Sequence, residues 1–444
     1  MTSLTRRSFL QTSAAVLASA GVAKQASLLQ AQDLPHRLPR LRFGVNYVPR
    51  KGWWYCWLDW NQKAIIEDLE VIASLGMDHI RIQCLWSLMQ PGSNYVSERM
   101  LEHMQALLDA ADHAGLDVEV TVLNGWMSGL AFMPAWVQPT NPKSNMFMNP
   151  NVIEGEKLFF RKLAGAIGKH PRFLGFDLGN ELGVLQATDN PVTQPEADAW
   201  ANAIFDQCNA VAPGKFHVNG VDHRHWFGDV GFTRQNLATT GEATIVHSYS
   251  FFTGALSRFG YKGTGVSHLI EYQVELAYAY HTDLNRKVWV EETGASPEWT
   301  PESYLLDYAD VIVRNAARTG KVWGITWWCS HDLDPAIKDF NKLEYTLGLI
   351  DQNNRPKPLG KKFAALADEL RNSPASSTNR ETALVIPDQG LAAHPPDWTY
   401  GDRYMKLLEQ DKIPCIVLES QIHNEPYLRS RGIRELIHFS DVKL

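Results

Sequence analysis

Between residues 41 and 370 the chain repeats one unit: a short apolar run, then a longer stretch with apolar residues at helical spacing. A run of that length that is apolar throughout reads as a strand buried on both faces, which belongs to a parallel sheet with helical crossovers. Eight such runs fall at 41–47, 79–82, 117–123, 173–178, 215–219, 244–247, 287–290 and 322–327. Helices are expected between most of them, at 62–75, 97–114, 152–168, 196–211, 267–281 and 302–319. Ser97 is placed to cap one of these, and Gly76 and Gly115 to stop two. Eight βα units in about 330 residues have the size of a (β/α)8 TIM barrel with insertions, in the α/β class. A doubly wound open sheet is the competing architecture, but no G-x-G-x-x-G turn follows the first run.

The flanks have a different character. Thr5-Arg6-Arg7-Ser8-Phe9-Leu10, followed by an Ala-rich run over 14–23, resembles a twin-arginine export signal. Residues 1–32 are therefore expected to be a signal peptide, and the mature chain to be periplasmic or extracellular. The apolar run is too short for a membrane span. The barrel is expected over 40–372. A polar linker at 373–379 leads to a small α/β region, 380–444. Strands at 382–386 and 415–418 flank a helix at 400–410 there, a β-α-β appendage too small for much of a core of its own and expected to pack on the barrel.

A formal net charge of −7 gives no electrostatic reason to bind nucleic acid or anionic membranes. The five cysteines are odd in number and show no C-x-x-C spacing, so they form neither a disulfide framework nor a zinc site. Buried thiols are expected, with Cys56 and Cys84 the pair for a single bridge. His223 and His225 lack an acidic cluster and read as ordinary loop residues; no metal and no cofactor is expected. The 15 tryptophans either fill a large core or stack on sugar rings.

Barrel enzymes carry their reactive groups at the C-terminal ends of the strands. The fourth run ends in Gly179-Asn180-Glu181, and the seventh in Glu291-Glu292-Thr293-Gly294. Two such ends face each other across a barrel mouth. A carboxyl pair of that kind is what glycoside hydrolysis requires, one acid to protonate the leaving oxygen and one carboxylate to attack the anomeric carbon. Arg81 ends the second run, His247-Ser248-Tyr249 the sixth and Trp327-Trp328 the eighth. This ordered set, from about Phe43 to Leu370 with Leu347–Asp351 and Arg355–Pro358 as the exit from the barrel, resembles the glycoside hydrolases of clan A, family five, the cellulase and β-mannanase family.

The resemblance implies roles. Glu181 is expected to be the acid and then the base, with its pKa raised by burial and by the second carboxylate. Glu292 is expected to be the nucleophile, kept ionised by Arg81 and Tyr249; Glu291 competes for that role, and the E-x-G spacing favours Glu292. Asn180 would donate to the sugar 2-hydroxyl, His247 would bind substrate or hold Glu181, and Trp328, or else Trp327, would stack on the sugar. Arg81 has a structural alternative, pairing with a core carboxylate. Leu123-Asn124-Gly125-Trp126 resembles the Asn-x-Trp of β-mannanases, although Asn124 stands where many members of the family have a histidine. The aromatic loop 52–57 is either a subsite wall or a plug over the barrel. Together these features imply a retaining hydrolase of β-mannan-type or β-glucan-type glycans working by double displacement on an oligo- or polysaccharide. The alternatives are a non-catalytic carbohydrate-binding barrel and a metal-dependent barrel hydrolase.

Overall fold

The computed structural model describes residues 40–137, 144–188, 190–338, 340–372, 377–392 and 394–444. The expected signal peptide and most of the polar linker lie outside the described residues. Seven strands, β1 (Arg42–Asn46), β2 (His79–Gln83), β3 (Asp117–Thr121), β4 (Phe173–Asp177), β5 (Thr244–Ser248), β6 (Val288–Thr293) and β7 (Val322–Trp327), form one sheet in the order β4-β3-β2-β1-β7-β6-β5. Every pairing is parallel, and the strands are buried along almost their whole length, as their unbroken apolar character requires. The sheet curls into a (β/α)8 barrel.

The run at 215–219 supplies the eighth wall, but not as a regular strand. It meets β4 through Phe216 N to Leu174 O (2.8 Å), Val218 N to Phe176 O (2.9 Å) and Leu178 N to Val218 O (2.9 Å). The amide of Phe176 then donates to Nδ1 of His217 (3.1 Å) rather than to a main-chain carbonyl, while Nε2 of the same ring meets Ala212 O (2.9 Å). An imidazole inserted into the ladder is why only an isolated bridge, Asp177 to Val218, is left. Among the described residues, no ladder joins 215–219 to β5.

The crossovers are α1 (Gln62–Ser74), α2 (Glu98–Ala114), α3 (Pro150–Ile167), α4 (Gln194–Val211), α5 (Leu269–Ala279), α6 (Leu305–Ala317) and α7 (Pro358–Asn372). Their starts carry local signals: the Asn61 side chain accepts from Ala64 N, Ser97 caps α2, Pro150 opens α3 after Asn149, and Thr193 with Glu196 forms a capping box on α4. Helix α7 closes the ring, with Phe363 against Phe43 and Trp327 at ring distances of 5.6 and 5.3 Å.

The C-terminal region holds β8 (Thr382–Ile386), α8 (Thr399–Leu408), β9 (Cys415–Leu418), α9 (Glu425–Ser430) and β10 (Glu435–His438). Its parallel sheet has the order β9-β8-β10, one strand more than the sequence suggests. β10 is short and half-exposed, so its sequence lacks an apolar run. The region seats on α5: Arg380 donates to Glu271 (2.8 Å) and Tyr404 (3.0 Å), and Trp398 donates to Thr253 O (2.8 Å). All five cysteines are free and buried. Among the described residues, no helix is long and apolar enough to cross a membrane.

Candidate active site

The C-terminal ends of β2, β4, β5 and β6 bring the expected residues into one crater, organised around Arg81. This guanidinium is fully buried. It donates to Asp177 Oδ2 through Nη2 (2.7 Å) and Nε (3.2 Å), and to Glu292 Oε1 (2.5 Å), Asn46 Oδ1 (3.0 Å) and Asn180 Oδ1 (3.1 Å). Glu291 Oε1 lies 3.4 Å from its Nε. Burial on its own pulls a cation's pKa down; here the charges of Glu291, Asp177 and Glu292 more than reverse that and hold Arg81 well above its usual range. Both alternatives for Arg81 are thus realised, since it pairs with the core carboxylate Asp177 and with Glu292.

Two consecutive glutamates turn inward because β6 carries an extra residue. Val290 pairs with Val246 and Ile325, whereas Glu292 pairs with His247 and Thr293 with Trp327. Such a bulge re-aims a side chain that regular alternation would send outward. Glu291 is fully buried, and its Oε2 accepts from His247 Nε2 (3.0 Å). Glu292 sits higher; its Oε2 accepts from Tyr249 (2.8 Å) and lies 3.6 Å from His247 Nδ1. Gly294 follows because a Cβ there would stand 2.5 Å from Trp328 O.

Glu181 has a φ of 46°, in the left-handed region that side chains other than glycine's rarely adopt. Its amide is pinned to Gly220 O (2.8 Å) and its Oε1 accepts from His247 Nδ1 (3.1 Å). A strained conformation held in place on both sides is common at functional positions. The Glu181 side chain is about one-quarter exposed, against 6% for Glu292. One atom each from Glu181, His247 and Glu292 lie within 4.8 Å of one another.

His247 governs the electrostatics. Burial lowers an imidazole pKa, but Glu292, Glu181 and Glu291 raise this one to about 10. As an imidazolium it donates from both nitrogens and offers no lone pair to a cation. Burial works to raise Glu181, yet the hydrogen bond and charge of His247 bring it below the ordinary carboxylate value. Glu292 goes the other way: burial lifts it, and His247, Arg81 and Tyr249 only partly offset the rise. This corrects the sequence expectation of a raised Glu181 beside an easily ionised Glu292. The reason is the imidazolium, whose charge was not legible from the sequence.

Asn180 is oriented from both ends, its Oδ1 accepting from Arg81 and its Nδ2 donating one hydrogen to Trp126 O (2.8 Å), which leaves the second hydrogen to donate. Trp328 is nearly buried and lies beside Glu344, whereas Trp327 is fully buried against Phe363. Asn124 is fully buried, its Nδ2 directed at Met127 Sδ (3.6 Å). In the loop 52–57, Trp53 and Trp54 stack at 4.0 Å and pack on Phe340, and Trp54 also packs on Phe132. These contacts clasp three loops together, and the burial of both indoles suits a plug better than an open subsite wall. Phe251 and Phe252, each about half exposed, form a ledge with Trp299, and Phe252 packs on Tyr249.

Residues 43–333 match the profile of the family described as Cellulase (glycosyl hydrolase family 5). The chain belongs to glycosyl hydrolase family 5. Among solved structures, this glycoside hydrolase resembles the GH5_18 protein of Streptomyces cattleya in complex with GlcNAc at 36% identity and a TM-score of 0.86, covering 91% of this chain and 99% of that one. A complex of the Streptomyces cattleya protein with Manβ1-4GlcNAc matches at 35% and 0.86 over 91% and 100%. GH5_18 from Bifidobacterium longum subsp. longum, also with Manβ1-4GlcNAc, matches at 31% and 0.83 over 90% and 96%. A search among curated proteins gave no match.

Three residues of this family 5 site went unassigned from the sequence. Asp177 and Asn46 orient Arg81, and burial together with Glu291 raises Asp177 to about 6 against the pull of Arg81. Both carry a signal, since a polar residue that ends a buried strand at the barrel mouth points to the site. Glu344 has none; it sits on a one-turn 3-10 helix, Lys342–Tyr345, in a loop.

Proposed function

We propose that this family 5 hydrolase is a retaining β-glycosidase that removes a terminal β-mannosyl unit from disaccharides such as Manβ1-4GlcNAc. The approach of Glu181 and Glu292 carries the retaining mechanism. Oxygens within 4.8 Å suit the carboxyl spacing of double displacement rather than the wider gap in which inversion places a water beside the sugar. The substrate class rests on the GH5_18 relatives bound to Manβ1-4GlcNAc. Terminal action is supported by the clasp of Trp53 and Trp54 with Phe132 and Phe340, which would wall off that side against a longer chain.

In this mechanism Glu292, steered by Arg81 and Tyr249, attacks the anomeric carbon. Glu181, sharing a proton with His247 Nδ1, protonates the leaving oxygen. The pair left behind is one proton short, and Glu181 takes that proton back from the attacking water in the second step. The trio titrates together, so its pKa values belong to the cluster. The leaving sugar emerges toward the Phe251–Phe252–Trp299 ledge. The twin-arginine motif at Arg6-Arg7 supports export, which N-terminal sequencing of secreted protein would test.

The deciding experiment is turnover of 4-nitrophenyl β-mannoside by Glu292→Ala. Activity should vanish and return in part with azide, giving the inverted glycosyl azide. Full activity in the variant ends the proposal. A product panel of Manβ1-4GlcNAc, mannan, cellulose and xylan checks the substrate class.

A further inference from the structure

Glu344 is a carboxyl that the reaction leaves unused. It is 6% exposed, and its loop is firmly built: Asn341 Oδ1 caps the turn, Leu333 N donates to Glu344 O (3.2 Å), and Phe340 at the loop's start packs in the Trp53–Trp54 clasp. The carboxyl lies beside the Ser128 hydroxyl and Trp328, and feels the charges of Glu292 and Glu181; Tyr249 in turn feels Glu344. It therefore shares the crater with the reacting pair. Among the described residues no arginine, lysine or histidine forms an ion pair with it, although buried acids are usually paired. Ser128, at φ 55° in the turn of the short hairpin Trp126–Met127 and Leu130–Ala131, has a buried Oγ that meets hydrogen-bond geometry with no protein group. A carboxylate without a cation and a hydroxyl beside it thus stand next to the indole on which a sugar would stack, the carboxylate keeping lone pairs beyond those that Ser128 and Trp328 can engage.

A pyranose supplies what this corner lacks. Vicinal hydroxyls offer two O–H donors at the spacing of one carboxylate, and a neighbouring serine can accept or return a third bond. We propose that Glu344, with Ser128, is a glycon-recognition residue that takes hydrogen bonds from hydroxyls of the terminal sugar stacked on Trp328, and so sets which glycon the enzyme accepts. The proposal rests on the glycosidase reading of the same crater.

The test compares wild type, Glu344→Ala, Glu344→Gln and Ser128→Ala on 4-nitrophenyl β-D-mannopyranoside and its 3-, 4- and 6-deoxy analogues. One charge-assisted contact corresponds to roughly a 10- to 150-fold change in kcat/KM. Glu344→Ala should show that loss on the parent sugar. One deoxy analogue should cost the wild type as much, yet cost the variant almost nothing further. Losses by Glu344→Ala that multiply with every deoxy substitution show that the residue merely props Trp328, and overturn the proposal. If the alanine variant does not fold, the isosteric glutamine variant, checked by thermal melting, gives the same comparison. Inactivity of the wild type on every aryl β-glycoside overturns the glycosidase reading and this proposal with it, whereas an active enzyme with multiplicative losses overturns this proposal alone.

Discussion

Glu344 also has a thermodynamic consequence that can be read without any substrate. Burial, reinforced by Glu292 and Glu181 and opposed by Ser128 and Trp328, lifts its carboxyl from an ordinary 4.5 to about 7. The unfolded chain keeps the ordinary value, so between pH 4.5 and 7 the native state binds more protons than the unfolded one. Stability then falls as pH rises through that window. The penalty is absent below pH 4.5 and complete above pH 7, where holding the group ionised costs about 3 kcal/mol at 1.4 kcal/mol per pH unit. Because the side chain is almost fully buried, solvent screening takes little from this figure. Glu344→Gln keeps the shape and removes the ionisation. The variant should melt with the wild type at pH 4.5 and about 4 °C above it at pH 8, from an unfolding entropy of roughly 2 cal/mol/K per residue. Differential scanning calorimetry across pH 4.5–8.5 measures the gap. A constant gap, or one that closes as pH rises, refutes the claim that Glu344 is ionised at a cost in this crater.

Tyr249→Phe removes the 2.8 Å bond to Glu292, which should rise further, so the acid limb of the kcat/KM–pH profile should move up by about one to two pH units. Arg81→Met leaves Asp177, Glu291 and Glu292 buried without their cation and should cost about 3–5 kcal/mol in urea unfolding, besides activity. His247→Ala frees Glu181 from the imidazolium, so the alkaline limb should shift to higher pH while kcat falls. Arg380→Ala, which leaves the buried Glu271 with only His268 and Tyr404 under the C-terminal sheet, should destabilise by about 1–3 kcal/mol in calorimetry and leave kcat of the surviving enzyme nearly unchanged.

The barrel was legible because strands buried on both faces leave continuous apolar runs, and because Ser97 marks where one helix begins and Gly76 and Gly115 where two end. The pairing of Glu181 with Glu292 was legible for a related reason, since each closes such a run at the mouth. Three features escaped. His217 sits in an otherwise apolar run, and nothing in its neighbours shows that its ring replaces a carbonyl in the ladder. β10 lies half in solvent, so no apolar run marks it. Glu344 belongs to a loop whose course is fixed by aromatic contacts from two other loops, and sequence spacing holds no information about those. The charge state of the crater escaped as well, because it depends on His247 meeting three carboxylates from two strands.

The wall formed by 215–219 has a consequence for how this enzyme can move. Six staves of the barrel are fastened along both edges, whereas 215–219 and β5 are each tied on one edge only; among the described residues one main-chain bond, from Glu242 N to His217 O (2.9 Å), lies near the gap between them. Glu181, whose amide donates to Gly220 O just past that wall, and His247 on β5 meet across the gap, and their hydrogen bond (3.1 Å) ties its upper end. Amide exchange along β5 should therefore quicken when His247 is replaced.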